Sequence, residues 1–159
     1  MSDALIVVQT APLDVTGALT RLQANPKAGA VATFMGLMRD HNDGEQISQM
    51  TLEHYPGMTE AALRAISEEA GVRWPLYDVV ILHRVGPLRP TDVIVFVGTT
   101  STHRQAALDA CAFIMDYLKT RAPFWKKETG AGGEHWVDAR DSDDTAAQRW
   151  QAPGGEHGA

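Results

Sequence analysis

Residues 77–85 and 92–99 constrain this chain more than any other feature. Both runs are β-branched and almost continuously apolar, which suits strands covered on two faces. The hexapeptide between them, Gly86-Pro87-Leu88-Arg89-Pro90-Thr91, can continue neither run, so the two are expected to pair as a hairpin. Other segments arrange around that pair. Residues 4–9 read as a first strand, and Asp14 can cap a helix running to about Ala24, where Asn25-Pro26 breaks it. Residues 29–38 and 47–55 read as strands. The polar stretch 39–46 between them contains Asp43-Gly44, a turn signal, so a second hairpin is expected. Residues 59–70 carry Ala62, Leu63, Ile66 and Ala70 on one stripe, an amphipathic helix that Gly71 can end. The longest helix runs from His103 to about Thr120 and stops before Pro123. Gly130, Gly132 and Gly133 read as a flexible loop, and residues 135–139 as a last short strand. The order β-α-β-β-α-β-β-α-β predicts a single α+β domain with a mixed, largely antiparallel sheet and flanking helices. The domain is expected to span residues 1–150, with 151–159 as a flexible tail.

Charge and motif content narrow the function classes. Fourteen Lys+Arg against twenty Asp+Glu leave a net charge of −6, which argues against nucleic acid or an anionic membrane as partner. The longest purely apolar runs, residues 5–8 and 93–97, are too short to span a bilayer. No basic segment followed by an apolar stretch opens the chain. A single cysteine, Cys111, excludes an intramolecular disulfide and any Cys-only metal site, and the expected compartment is reducing cytoplasm. Gly-x-Gly-x-x-Gly, a phosphate loop and Gly-x-Ser-x-Gly are all missing, and no two histidines stand four apart. No metal and no cofactor is expected.

The few cations fall at element ends. Arg39 ends a strand, His103-Arg104 open the long helix, Lys119 and Arg121 close it, Lys126-Lys127 follow, and Arg140 comes after the last strand. Such placement in an acidic protein can hold an anion, aided by the amide donors of a helix start. At 100° per residue, Lys119 lies at the border of the stripe carrying Cys111 and Met115. A partly desolvated amine there is a candidate base, acid or nucleophile; a lysine whose stem merely covers apolar surface is the plainer alternative. Phe124-Trp125, between two groups of cations, can stack on a planar ring or anchor the chain in the core.

At this point four blocks matter together. Leu52-Glu-His-Tyr-Pro-Gly-Met-Thr-Glu60, His83-Arg-Val-Gly86, Thr100-Ser-Thr-His-Arg104 and Met115-Asp-Tyr-Leu-Lys-Thr-Arg-Ala-Pro-Phe-Trp-Lys126, with Gly36-Leu-Met-Arg39, resemble the large, catalytic subunits of molybdopterin synthases. The resemblance covers residues 4–150. It implies a hammerhead-type α+β fold and a homodimer carrying one small ubiquitin-like subunit at each end, a heterotetramer. The implied activity is a sulfurtransferase that converts cyclic pyranopterin monophosphate to the molybdopterin dithiolene. Sulfur would come from a thiocarboxylate on the small subunit's C-terminal Gly-Gly tail. Matching residues imply catalytic roles for Lys119 and Lys126. Arg39, His103 and Arg104 match the anionic substrate pocket, the last two near the phosphate and supplied across the dimer. Leu37, Met38, Lys127 and Glu128 flank these positions, and Phe34, Met115 and Arg140 are further pocket candidates. A phosphate-ester enzyme acting alone, or a non-catalytic adaptor for a ubiquitin-like tail, are the rival readings.

Overall fold

The computed structural model describes residues 3–130, 132–137 and 141–151. Arg140 and the tail beyond Gln151 lie outside the described residues. In chain order the elements are β1 (Leu5–Gln9), α1 (Val15–Leu22), β2 (Ala30–Leu37), β3 (His41–Asn42), β4 (Glu45–His54), α2 (Met58–Arg73), β5 (Leu76–Arg84), β6 (Gly86–Leu88), β7 (Val93–Ser101), α3 (Arg104–Arg121), β8 (Phe124–Gly130), β9 (Gly133–Val137) and α4 (Asp141–Gln148). No helix among the described residues is long and apolar enough to cross a membrane.

Two sheets are built from these strands. The first runs β1-β5-β7-β2, with β1 parallel to β5 and the other pairs antiparallel. The expected β5–β7 hairpin is its centre. Both faces of that hairpin are covered, which is why its sequence is apolar without alternation. Ala18 and Leu22 of α1 pack on Val80, Leu82 and Phe96. On the opposite face Leu63, Ile66 and Ala70 of α2 join Ala107, Ala110, Phe113 and Ile114 of α3 against Val79, Ile81, Val95 and Val97. Side chains at alternate strand positions thus enter two different cores.

The second sheet runs β3-β4-β8-β9, with β6 added along β4. Here the structure corrects the expected pairings. β2 and β4 do not form a hairpin: β2 lies against β7 in the first sheet, while β4 lies between β6, β8 and the two-residue β3. The Asp43-Gly44 turn is real but local. Asp43 at φ 52° and Gly44 at φ 83° close His41–Asn42 onto Glu45 and Gln46, the left-handed pair a tight hairpin requires. Residues 86–91 do not merely connect, because Gly86–Leu88 pairs with Met50–Leu52. Gly130 and Gly133 pair across the β8–β9 turn instead of forming a loose loop. Nor does Gly71 end α2. The helix continues to Arg73 and stops at Trp74, held extended (φ −132°, ψ 150°) because Pro75 follows. A small core of Met38, Ile47, Met50, Leu52, Val85 and Leu88 joins the two sheets, and the cleft opens beside it.

Candidate active site

A cleft of about 700 Å³ lies between the end of β2, the end of α3 and the inner face of β4–β8. Its position follows from two chain reversals. At Gly36–Leu37 the register of β2 on β7 slips by one residue, a bulge after which Leu37 still pairs with Val93 while Met38 and Arg39 run on along the rim. At the other side α3 ends at Ala122, extended at φ −80° and ψ 132° because Pro123 follows, and β8 begins at once. That reversal sets Lys119, in the last helical turn, and Lys126, in the strand, on one cleft wall.

The alternation of β8 sorts the next residues. Lys126 and Glu128 line the cleft, whereas Lys127 turns to the opposite face, where its ammonium stands 3.3 Å from Glu134 and above the Trp136 ring. Glu128 is buried, and Asn42 Nδ2 donates to both of its carboxylate oxygens at 3.0 Å. Phe34 and Leu37 are exposed along the rim, and Met38 is buried beneath it.

Not every residue singled out from the sequence reaches this cleft. Met115 is buried in the core between α3 and the first sheet, because the stripe that places Lys119 at the border places Met115 inside. Lys119 itself is exposed in the single chain, not half-buried as its border position predicts; Lys126 is the half-buried one. Arg121 is tied to Glu69 at 2.8 Å and lies over the Tyr117 ring. His103 and Arg104 stand exposed at the start of α3. Fifteen residues of helix separate Arg104 from Lys119, roughly 22 Å at 1.5 Å per residue. Of the aromatic pair, Phe124 packs inward and Trp125 stays half-exposed at the cleft edge.

Asn42 and His83 are cleft residues that sequence reasoning missed. His83, at the end of β5, is 4% exposed and stacks on Phe124 with ring centroids 3.9 Å apart and planes 18° apart. Its Nδ1 lies 2.9 Å from the Arg84 carbonyl. A carbonyl only accepts, so Nδ1 carries the hydrogen and Nε2 is the bare nitrogen. Burial pushes its pKa down to about 4, the bond to Arg84 opposes this, and the nearby positive charges of Lys119, Lys126 and His54 depress it further. The ring is neutral at pH 7. The sequence signal was present in His83-Arg-Val-Gly86, but a lone histidine closing an apolar strand is more often core than site. The assembled cleft is therefore cationic at one wall, aromatic at its base and bridged by a buried carboxylate, a setting that can take an anionic, partly planar molecule.

The family model described as "MoaE protein" matches residues 8–121. The molybdopterin synthase catalytic subunit of Pseudomonas aeruginosa is 59% identical over 147 residues, 92% of this chain and 98% of that protein. The Escherichia coli K12 protein of the same name is 53% identical over 150 residues, 94% of this chain and 100% of its own. Among solved structures, the molybdopterin biosynthesis MoaE protein of Burkholderia ambifaria superposes with a TM-score of 0.80 at 55% identity, covering 92% of this chain and 97% of that one. The crystal structure of molybdopterin synthase from Staphylococcus aureus does so with 0.77 at 31% identity, covering 87% and 98%. A family match across most of the chain, and relatives more than half identical end to end, lead to one conclusion: this chain belongs to the MoaE protein family.

Proposed function

We propose that the chain is the catalytic large subunit of a molybdopterin synthase. It transfers two sulfurs from the thiocarboxylated C-terminus of a small ubiquitin-like subunit to cyclic pyranopterin monophosphate, forming the molybdopterin dithiolene. The observation that carries this reading is the convergence of Lys119 and Lys126, from a helix end and a strand, on one cleft with Arg39 at its rim. Both reagents are anions and repel each other; fixed cations offset that repulsion where they must meet. Lys119 and Lys126 are the groups we assign to proton transfer, or to transient capture of the acyl group, as sulfur attacks the pterin side chain. Phe34 and Leu37 form the rim, Met38 lies beneath it, and Glu128 stands on the Lys126 face of β8. The names of the relatives, catalytic subunits of a synthase, support a second kind of subunit that brings the sulfur. Cys111 cannot replace it: the thiol is buried and its pKa is pushed up to about 12 by burial, so it carries no thiolate near neutrality.

His103 and Arg104 stand too far along α3 to reach Lys119 of their own chain, and we assign them to the cleft of a second copy, in a homodimer within a heterotetramer. The compartment we infer is the cytoplasm, in keeping with bacterial relatives of a biosynthetic enzyme.

The test mixes the chain with thiocarboxylated small subunit and cyclic pyranopterin monophosphate and measures molybdopterin. The wild-type mixture is expected to form it. Lys119→Ala is expected to lose at least about 100-fold in rate, the scale of a removed acid–base group, while still binding the small subunit. Loss of that complex would reassign Lys119 to docking, and product formed without a thiocarboxylated partner would defeat the reading.

A further inference from the structure

The segment that carries Arg39 crosses from one sheet to the other, and the structure shows how it is held. At its near end the Met38 amide donates to the Asp92 carbonyl at 2.9 Å, and the Met38 carbonyl accepts from the Thr91 amide at 2.8 Å. At its far end the Ile47 amide donates to the Asp40 carbonyl at 2.6 Å. Between these lies a hairpin of two residue pairs, His41 with Gln46 and Asn42 with Glu45, too small to be stable alone. Asn42 then reaches β8: its amide nitrogen lies 3.0 Å from each oxygen of Glu128, a side chain only 6% exposed. His135 Nε2 is 3.6 Å from one of those oxygens.

This bridge has an electrostatic consequence. Glu128 lies on the same face of β8 as Lys126, within a cleft read as binding anions. A carboxylate free to turn there would repel a phosphate and compensate Lys126. An amide donor leaves that charge in place, but it fixes the two oxygens on the Asn42 side and gives the buried group a hydrogen-bond partner.

We propose that Asn42 is a positioning residue, latching the β3 hairpin to β8 through Glu128 so that Arg39 is held at the cleft rim and the Glu128 oxygens keep one orientation. The inference rests on the sulfur-transfer reading for its kinetic consequence but not for the latch itself. Asn42→Ala removes the donor and Glu128→Ala the acceptor; each is expected to raise KM for the pterin substrate about tenfold, the scale of a lost charge-assisted hydrogen bond, with a much smaller effect on kcat. Because both break one link, the double variant is expected to be no worse than the poorer single one. Glu128→Gln retains an acceptor oxygen for Asn42 and is expected to lose less than Glu128→Ala.

Hydrogen exchange on the complete chain tests the latch without activity. The Ile47 amide is expected to exchange about ten times faster in Asn42→Ala than in wild type if that link holds the hairpin closed. Unchanged exchange at Ile47, additive KM effects, or Glu128→Gln as poor as Glu128→Ala would each overturn the proposal. A wild-type mixture that makes no molybdopterin would defeat the functional reading instead, and the exchange result would still decide the latch.

Discussion

His83 shows how one side chain can couple the site to stability. Its folded pKa of about 4 lies below the ordinary histidine value of 6.5, so between those values the unfolded chain binds the proton that the folded chain refuses. The stabilising contribution is complete above pH 6.5 and is lost as pH falls toward 4. It amounts to at most about 3 kcal/mol. Replacing His83 with phenylalanine keeps a ring against Phe124 but cannot titrate. Urea unfolding of wild type and His83→Phe at pH 7 and pH 4.5 should show a wild-type stability that falls more steeply by about 2 kcal/mol. Parallel losses in the two proteins would mean that the histidine is not held neutral. A second residue carries strain. Arg89 to Asp92 form a turn closed by the Asp92 amide on the Arg89 carbonyl at 3.0 Å, with Pro90 second and Thr91 third at φ 76°. That third place wants glycine, and a β-branched residue there is costly. Thr91→Gly is expected to stabilise by about 1 kcal/mol, net of glycine's extra chain entropy, and to raise Tm by about 3 °C. A lower Tm would show that the threonine side chain contributes more than its backbone costs.

At the scale of elements, legibility followed the range of the interaction. Runs that could be read locally were right in kind: the β5–β7 hairpin, the Asp14-capped α1, whose carboxylate accepts from Gly17 N at 3.0 Å, and the long α3 stopped before Pro123. β8 was missed because Phe-Trp-Lys-Lys-Glu-Thr-Gly has neither β-branched enrichment nor a clean apolar alternation. It is a strand because β4, seventy or more residues earlier, pairs with it from Ile47–Gly130 to His54–Phe124, and because its inward positions serve the cleft. Functional demands had overwritten the local signal there. The misplaced β2–β4 hairpin has a similar origin. Asp43-Gly44 specifies a turn but not how far its arms extend, and the bulge at Gly36–Leu37 had already diverted β2. In the site, helical spacing brought Lys119 to the cleft border and β8 placed Lys126 beside it, while the Asn42–Glu128 bond and the burial of His83 near both lysines needed the tertiary structure to be seen.

For the whole molecule, the question is which chain completes the cleft. Arg104 and Lys119 occupy opposite ends of one rigid 18-residue helix, so no side-chain rearrangement brings them together within a chain. If both serve one substrate, as proposed, two copies must exchange helix ends about a two-fold axis, and every site is then a composite. Arg104→Glu reverses the charge offered to the phosphate and Lys119→Ala removes the reacting amine, so each homodimer is expected to be inactive. A hybrid dimer of the two variants is different. One of its sites combines Lys119 from the arginine variant with Arg104 from the lysine variant and is intact; the other carries both defects. After unfolding and refolding an equimolar mixture, half the dimers are hybrids with one working site in two, so activity is expected to return to about a quarter of wild type. No recovery, with hybrids verified by differential tagging, would place Arg104 outside the site that Lys119 serves. Charge-reversed homodimers that retain full activity would remove Arg104 from phosphate binding altogether.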